Sequence, residues 1–275
     1  MCASCLSGLK PCLVNLLGYL SSSIGRKQAL GAAGAALVLF LAGHAAGNLA
    51  LLNPDPAAAQ AAYNAYCQFL TGMKPLIWIV EAGLAAILLV HVALALALRA
   101  RNRRARGGGA RYAVTHHAGP ATPAAYTMFA TGALVFVFLV QHLAFFKFGT
   151  WYLYRDAEGR LIRDMWLTAA ETFAQPGWTA LYVVALLLVG AHLVHALPSL
   201  FRTFGLVHPR WTPLVNLAGA GVAVALAGTF AATALGACLL LQRPAARDLM
   251  AQARAAQPAL AAEAQHSSAQ EGVSK

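Results

Sequence analysis

Charged residues are scarce in this chain of 275 residues: they make up 11% of it, whereas soluble proteins carry about a quarter. Acidic residues are the rarest, with nine Asp and Glu against twenty Lys and Arg, while 59% of the chain is hydrophobic. This balance excludes an ordinary soluble domain and indicates lipid surroundings. The basic residues lie in short stretches between long apolar segments, which is typical of membrane loops rather than of a nucleic-acid-binding surface. We therefore expect no nucleic-acid partner.

Cysteine is also too scarce to form a disulfide framework, because the five cysteines follow no even pattern. Cys2 and Cys5 form a lone CxxC followed by Leu6, not by the His that covalent c-type haem attachment requires. Incidental thiols are the simpler interpretation of this pair, and a redox or metal role stays open. The amino terminus lacks a small-residue cleavage site before the first long apolar run, so we expect it to be retained.

Five long apolar segments dominate the chain, and each is bounded by polar or helix-breaking residues. A membrane-spanning helix needs about 20 apolar residues, because the hydrocarbon core is about 30 Å thick and a helix rises about 1.5 Å per residue. The segments that meet this requirement are 28–52, 75–98, 123–146, 178–201 and 213–241. The sequence predicts an all-α integral membrane protein with five transmembrane helices.

Three parts follow from these spans. We expect a cytoplasmic or interfacial segment over 1–27, a five-helix transmembrane domain over 28–242, and a polar tail over 243–275 that begins helical and is partly disordered. Eleven basic residues lie on the side of the amino terminus, and five lie in the opposite loops. Because cytoplasmic loops carry the excess of Lys and Arg, the amino terminus is predicted to be cytoplasmic.

Five of the nine histidines lie inside the predicted spans, where ionisable side chains are costly and mark function. His44 and His142 come late in helices that run outward. His91, His192 and His195 come late in helices that run inward. Neutral imidazole is a strong ligand for haem iron, and haem b takes one nitrogen from each side. The two layers therefore predict two bis-histidine haems, although any single histidine could instead be satisfied by a backbone carbonyl. Within the inner layer, His192 and His195 are three residues apart, so they share a face and compete for one site.

Several stretches of this sequence, in order, resemble a known family. They are SSIGRKQ at 22–28, HAAGNL at 44–49, PLIWIVE at 75–81, RNRRAR at 101–106, FKFG at 146–149, HLVH at 192–195 and RTFGLVHPR at 202–210. Together they resemble the di-haem cytochrome b membrane anchor of succinate dehydrogenases and fumarate reductases, in its single-chain, five-helix form. The resemblance covers about residues 21–241.

The resemblance implies four axial haem ligands. They are His91 and His195 for the inner haem and His44 and His142 for the outer haem, with His192 as the second choice for the fourth ligand. It also implies a quinone, expected to be menaquinone, near the outer haem. Residues there that could contact the quinone are Asn48, Tyr63, Gln68, Gln141 and Lys147. A plain interfacial belt of polar and aromatic side chains is the alternative interpretation of these five.

The implied function is that of one subunit of a membrane enzyme in the inner (cytoplasmic) membrane. A flavoprotein subunit with FAD and an iron–sulfur subunit would bind on the cytoplasmic side and carry out the dicarboxylate chemistry. This chain would contribute no catalytic residue and would pass electrons between the iron–sulfur subunit and the quinone. Two alternatives differ in class: the cytochrome b anchor of a hydrogenase or formate dehydrogenase, and a membrane transporter whose histidines serve proton relay or packing.

Overall fold

The structure is a computed structural model that describes residues 18–105 and 123–273. Apart from one two-stranded hairpin, the regular elements of this part are helical. In chain order they are α1 (Ser23–Asn48), a 3₁₀ helix (Leu49–Leu52), α2 (Pro56–Gly72), α3 (Leu76–Ala105), α4 (Pro123–Phe146), β1 (Leu153–Arg155), β2 (Leu161–Arg163), α5 (Met165–Phe173), α6 (Pro176–Thr203), α7 (Thr212–Leu241) and α8 (Pro244–Val273).

Five of these helices are long and apolar enough to cross a membrane: α1 with the 3₁₀ helix, α3, α4, α6 and α7. The predicted all-α membrane fold with five spans is confirmed, and the chain is a multi-pass membrane protein. The largest difference in bounds is at α3, which continues seven residues past the predicted end at residue 98 to Ala105. Arg103 and Arg104 lie in its last turn, where positive charge interacts favourably with the helix dipole.

The chain divides into two compact units, and each of the five helices that could cross a membrane contributes residues to both. Among the described residues, the first unit contains 18–41, 79–105, 123–129 and 193–223. The second unit contains 42–78, 130–192 and 224–273. The second unit includes the short helices α2 and α5, the hairpin and α8, none of which the sequence analysis identified as separate elements apart from the helical start of the tail.

A buried carboxylate joins α2 to α5 in the second unit. Asp164, which is 1% exposed, accepts hydrogen bonds from Gln60 Nε2 at 2.7 Å, Asn64 Nδ2 at 2.8 Å and the Leu167 backbone N–H at 2.9 Å. The Trp166 backbone N–H donates in turn to Asn64 Oδ1 at 2.9 Å. Burial raises the pKa of Asp164, and the amide donors oppose that shift. These bonds fix the start of α5 against the side of α2, and we call this group the α2–α5 clamp.

The two ends of the chain differ from their expected descriptions in extent. Residues 1–17, with Cys2 and Cys5, lie outside the described residues. Helix α1 begins at Ser23, so it includes the last five residues of the segment expected over 1–27. At the other end, α8 is helical from Pro244 to Val273, where we expected helix followed by disorder. The Gln257 side-chain amide both donates to the Leu153 carbonyl and accepts from the Leu153 N–H. This pairing joins α8 to β1.

Candidate functional site

His44 and His142 meet in the second unit, the first on α1 and the second on α4. Their ring centroids are 6.0 Å apart and their planes lie at 79°. The sequence assigned these two residues to one layer, and the structure brings them together.

The separation fits two imidazoles bound to one iron from opposite sides. A metal–imidazole nitrogen bond is about 2.0–2.1 Å long, and each nitrogen stands about 1.1 Å from its ring centroid, which gives about 6.3 Å between centroids. The measured 6.0 Å is close to that value. Packed aromatic rings also have centroids about 4.5–7 Å apart, so the distance alone does not separate ligation from packing. The hydrogen bonds of the ring nitrogens provide the second criterion.

Among the described residues, one nitrogen of His142 has a specific partner. Its Nδ1 lies 3.3 Å from the hydroxyl oxygen of Tyr182 on α6. Phe146 stacks on the imidazole with centroids 4.9 Å apart, and Phe138 lies 6.0 Å away. Metal-binding histidines almost always use one nitrogen for the metal and hold the other by a hydrogen bond. The surroundings of His142 match this arrangement, with Nε2 as the available ligand atom.

Two residues predicted as quinone contacts, Asn48 and Tyr63, instead form hydrogen bonds beside His44. The Asn48 Nδ2 donates to the His44 carbonyl at 3.0 Å, and the Tyr63 hydroxyl donates to Asn48 Oδ1 at 2.9 Å. Burial raises the pKa of Tyr63 far above its usual value, so this phenol stays protonated and remains a donor. The Phe230 ring lies 5.7 Å from the His44 ring. Two quinone candidates, Asn48 and Tyr63, thus bond to each other and support the helix that carries His44.

The other three quinone candidates have different surroundings. Both polar atoms of the Gln141 amide are buried without a hydrogen-bond partner in the described part of the chain, and this amide lies beside Tyr182. Gln68 contacts Thr71 within α2. Lys147 is exposed just past α4, and its carbonyl accepts a hydrogen bond from Arg163. Of the three, Gln141 has the unmet hydrogen-bonding capacity that a polar ligand would satisfy.

In the first unit, His91 packs directly on α1 at a glycine. A Cβ added at Gly34 would lie 3.3 Å from His91 Cε1, so only glycine lets the ring approach this closely without a shift. The His91 Nδ1 is buried with no hydrogen-bond partner in the described residues, whereas the Leu30 backbone carbonyl lies within hydrogen-bonding reach of the ring. These surroundings fit a metal ligand and also fit a packed histidine that is satisfied by a backbone carbonyl. The ring contacts of the described residues do not join His91 to His195.

The two candidates for the fourth ligand, His192 and His195, lie in different units. His192 belongs to the second unit, with its Nδ1 3.4 Å from Thr131 Oγ1 and its ring against Gly132, where an added Cβ would lie 3.0 Å from Cε1. His195 belongs to the first unit together with His91. A hydroxyl at Nδ1 is found at His142 as well, so it does not decide between the two candidates. His195 stays the predicted inner ligand, and it lies in the same unit as His91.

An open groove of about 310 Å³ lies in the second unit. Phe145 lines it, and the next residue, Phe146, stacks on His142. Phe145 and Trp178 form one side, with ring centroids 4.8 Å apart, and Glu171 lines it near the ion pair that it makes with Arg254. The sequence analysis selected none of these side chains. Trp178 carried a usable signal, because an aromatic residue at the start of a span is typical of the membrane interface.

Comparison with known proteins identifies no relative of this chain: no protein-family model, no curated protein and no solved structure matches it. Within the described residues, no group of three or more His, Cys, Asp or Glu is placed to hold a metal ion. A haem iron takes only two protein ligands, so this observation concerns other kinds of metal site.

Proposed function

We propose that this chain is the di-haem cytochrome b subunit that anchors a succinate dehydrogenase or fumarate reductase in the inner membrane. The enzyme class rests on the sequence stretches that resemble this family, and one observation carries the haem binding. The rings of His44 and His142, on different membrane-spanning helices, have centroids 6.0 Å apart, close to the separation of two imidazoles on one iron. The Tyr182 hydroxyl at Nδ1 of His142 supports it, because it leaves Nε2 for the iron.

The chain's own contribution is to hold the haems and keep water from them. When bound, haem b supplies reversible one-electron transfer. His44 and His142 hold the outer haem through one imidazole nitrogen each, and His91 and His195 hold the inner haem. Phe146 and Phe138 pack around the His142 ring, and their apolar surfaces exclude water from that ligand.

The partner subunits bind on the side where basic residues concentrate. Arginines fill the exposed end of α3, at positions 99, 101, 103 and 104, and their charge suits a cytoplasmic interface with the iron–sulfur subunit. The guanidinium of Arg99 lies 3.9 Å from the centroid of the Phe129 ring, which fixes the first of these charges. The flavoprotein subunit, which holds the FAD, belongs to the same complex and lies on the same side of the membrane.

Within this proposal, the quinone binds in the groove beside Phe145 and Trp178. Flat aromatic side chains suit a quinone ring, and clefts of about 300 Å³ or more with a few polar groups are typical ligand sites. Phe146 follows Phe145 directly and stacks on His142, so a quinone in the groove lies near the outer haem ligand. Glu171 supplies a carboxylate at this groove for exchange of protons with the quinone.

Haem content of the purified protein tests the proposal. We expect reduced-minus-oxidised spectra with haem b bands and about two haems per chain, the number of layers predicted. Substitution of His44 or His142 by alanine is expected to remove one haem, and substitution of His91 or His195 to remove the other. The matched control is His192→Ala, which is expected to retain both haems. A wild-type protein without haem bands would contradict the proposal and favour a transporter.

The enzyme class requires a separate assay of the complex. Membranes that contain the chain with its flavoprotein and iron–sulfur subunits are expected to couple succinate and fumarate interconversion to a menaquinone analogue. Trp178→Ala is expected to weaken quinone reactivity while both haem signals persist. If haems are present but electrons come only from hydrogen or formate, the anchor belongs to another redox enzyme.

A further inference from the structure

Tyr182 lies where a buried hydroxyl meets a proposed haem ligand. Its side chain is on α6, the residue is 4% exposed, and its hydroxyl oxygen is 3.3 Å from His142 Nδ1. Three phenylalanine rings surround the phenol: Phe138 at 5.1 Å and Phe173 at 5.2 Å in edge-to-face geometry, and Phe146 at 6.2 Å between centroids. This packing fixes the phenol ring, so its oxygen has little freedom to leave the imidazole.

The tautomer of His142 determines the direction of this hydrogen bond. A neutral imidazole carries one N–H, and a histidine that binds iron through Nε2 carries that hydrogen on Nδ1. The Nδ1–H can then only donate, so the Tyr182 oxygen accepts. The Gln141 side-chain amide lies beside the same oxygen, on the side of a donor.

We infer that Tyr182 is a positioning residue that lowers the reduction potential of the outer haem by accepting a hydrogen bond from His142 Nδ1–H. The inference rests on the proposed function, because it requires haem iron on Nε2. Donation from Nδ1 raises the basicity of the ligating nitrogen, which stabilises ferric over ferrous iron. His192 in the same unit has a similar contact, between its Nδ1 and the Thr131 hydroxyl. It is not a predicted ligand of the outer haem, so loss of that hydroxyl should leave the outer-haem potential unchanged.

A purely structural role makes a different prediction. A buried hydroxyl needs a partner wherever it lies, and loss of that partner lowers stability without reference to iron. Only the ligand-tuning role requires the potential of one haem to change while the other stays constant. The two roles therefore separate in a redox titration.

The test is Tyr182→Phe, which deletes one oxygen and keeps the aromatic packing. The outer haem is identified as the redox component that His142→Ala lacks, and both haems are titrated by visible spectroscopy in the full-length purified protein. We expect the outer-haem potential to rise, by up to the equivalent of a tenfold change in the ferric-to-ferrous equilibrium constant, about 59 mV for one electron. The inner-haem potential is expected to stay unchanged.

Thr131→Val is the matched control, because a hydroxyl is lost there from the Nδ1 of His192, which is not a predicted ligand of the outer haem. An unchanged or lowered outer-haem potential in Tyr182→Phe overturns the inference, and so does an equal shift of that potential in Thr131→Val. If Tyr182→Phe loses the haem, the sign is read from Tyr182→Met, and loss of haem from both variants overturns a tuning role. Absence of haem from the wild-type protein would instead refute the proposed function.

Discussion

Asp164 offers the sharpest test of how the second unit holds together. Substitution by alanine removes the acceptor at the centre of the α2–α5 clamp and leaves three buried donors without a partner. These donors are Gln60 Nε2, Asn64 Nδ2 and the Leu167 backbone N–H, now 2.7, 2.8 and 2.9 Å from the carboxylate oxygens. The clamp lies outside the five candidate membrane spans, so its stability reflects these bonds rather than insertion into lipid.

The cost follows from the number of donors that lose their acceptor. An unsatisfied buried donor costs about 1–3 kcal/mol, so three cost about 3–9 kcal/mol. The amide side chains of Gln60 and Asn64 can rotate or admit water, which moves the value toward the lower end. Single substitutions also rarely exceed about 4–5 kcal/mol. We therefore expect Asp164→Ala to reduce the free energy of opening the clamp by about 3–5 kcal/mol.

Amide hydrogen exchange measures that opening locally. Protection of the Trp166 and Leu167 N–H groups is expected to fall at least about 100-fold, because about 1.4 kcal/mol corresponds to a factor of ten. Asp248→Ala, the same change at an exposed position of α8, is the control and should leave these amides protected. If Asp164→Ala exchanges no faster at Trp166 and Leu167 than the control does, the hydrogen bonds do not hold the clamp and the reasoning fails.

The pH dependence of the same amides tests the charge of the buried carboxylate. Burial raises the pKa of Asp164 above its ordinary value of 3.8, so the folded state binds the proton more tightly than the unfolded state does. Its contribution to stability is complete below pH 3.8 and is lost as the pH rises through the raised pKa. Protection should decline over that window in the wild type and stay flat there in Asp164→Asn.

Three further outcomes follow from other contacts. Gly34→Val is expected to push the His91 ring away and lower total haem in a pyridine haemochrome assay from about two to about one per chain. Gly221→Val, with nothing within 4 Å of an added Cβ and no predicted ligand on its helix α7, should retain both haems. Burial raises the pKa of Cys67 to about 11, so its alkylation rate should climb steeply between pH 8 and 11, and a plateau near pH 9 would contradict this. Gln257→Ala removes two hydrogen bonds to β1 and should cost α8 about 1–3 kcal/mol, measured by exchange of its amides.

The elements that sequence reasoning missed had weak or ambiguous local signals. The run from Asn53 to Pro56 is typical of the end of a span, but Asp55 followed by Pro56 is also typical of a helix start. Asp55 accepts hydrogen bonds from the Ala57 and Ala58 N–H groups and so caps α2. The β hairpin has strands of only three residues, too short for an alternating pattern to be recognised.

The histidines of the candidate site were conspicuous in the sequence, and their surroundings were not. Histidine inside an apolar run is conspicuous, because a polar ring in lipid requires a reason. Tyr182 is also polar within a span, but nothing in the sequence relates it to His142, forty residues away. Which side chains meet depends on how each helix is rotated about its own axis, and a helix that is apolar on all sides leaves that rotation undefined.

The sequence by itself determined the five membrane-spanning helices, because the length of an apolar run against the thickness of the bilayer is a property of each segment alone. It also determined which residue types could bind haem iron. Only the tertiary structure decided that His44 faces His142, that Tyr182 holds its Nδ1, and that Asp164 joins helices about a hundred residues apart. Those contacts form between segments distant in the chain, so they depend on packing and on the burial of polar groups, which local composition does not encode.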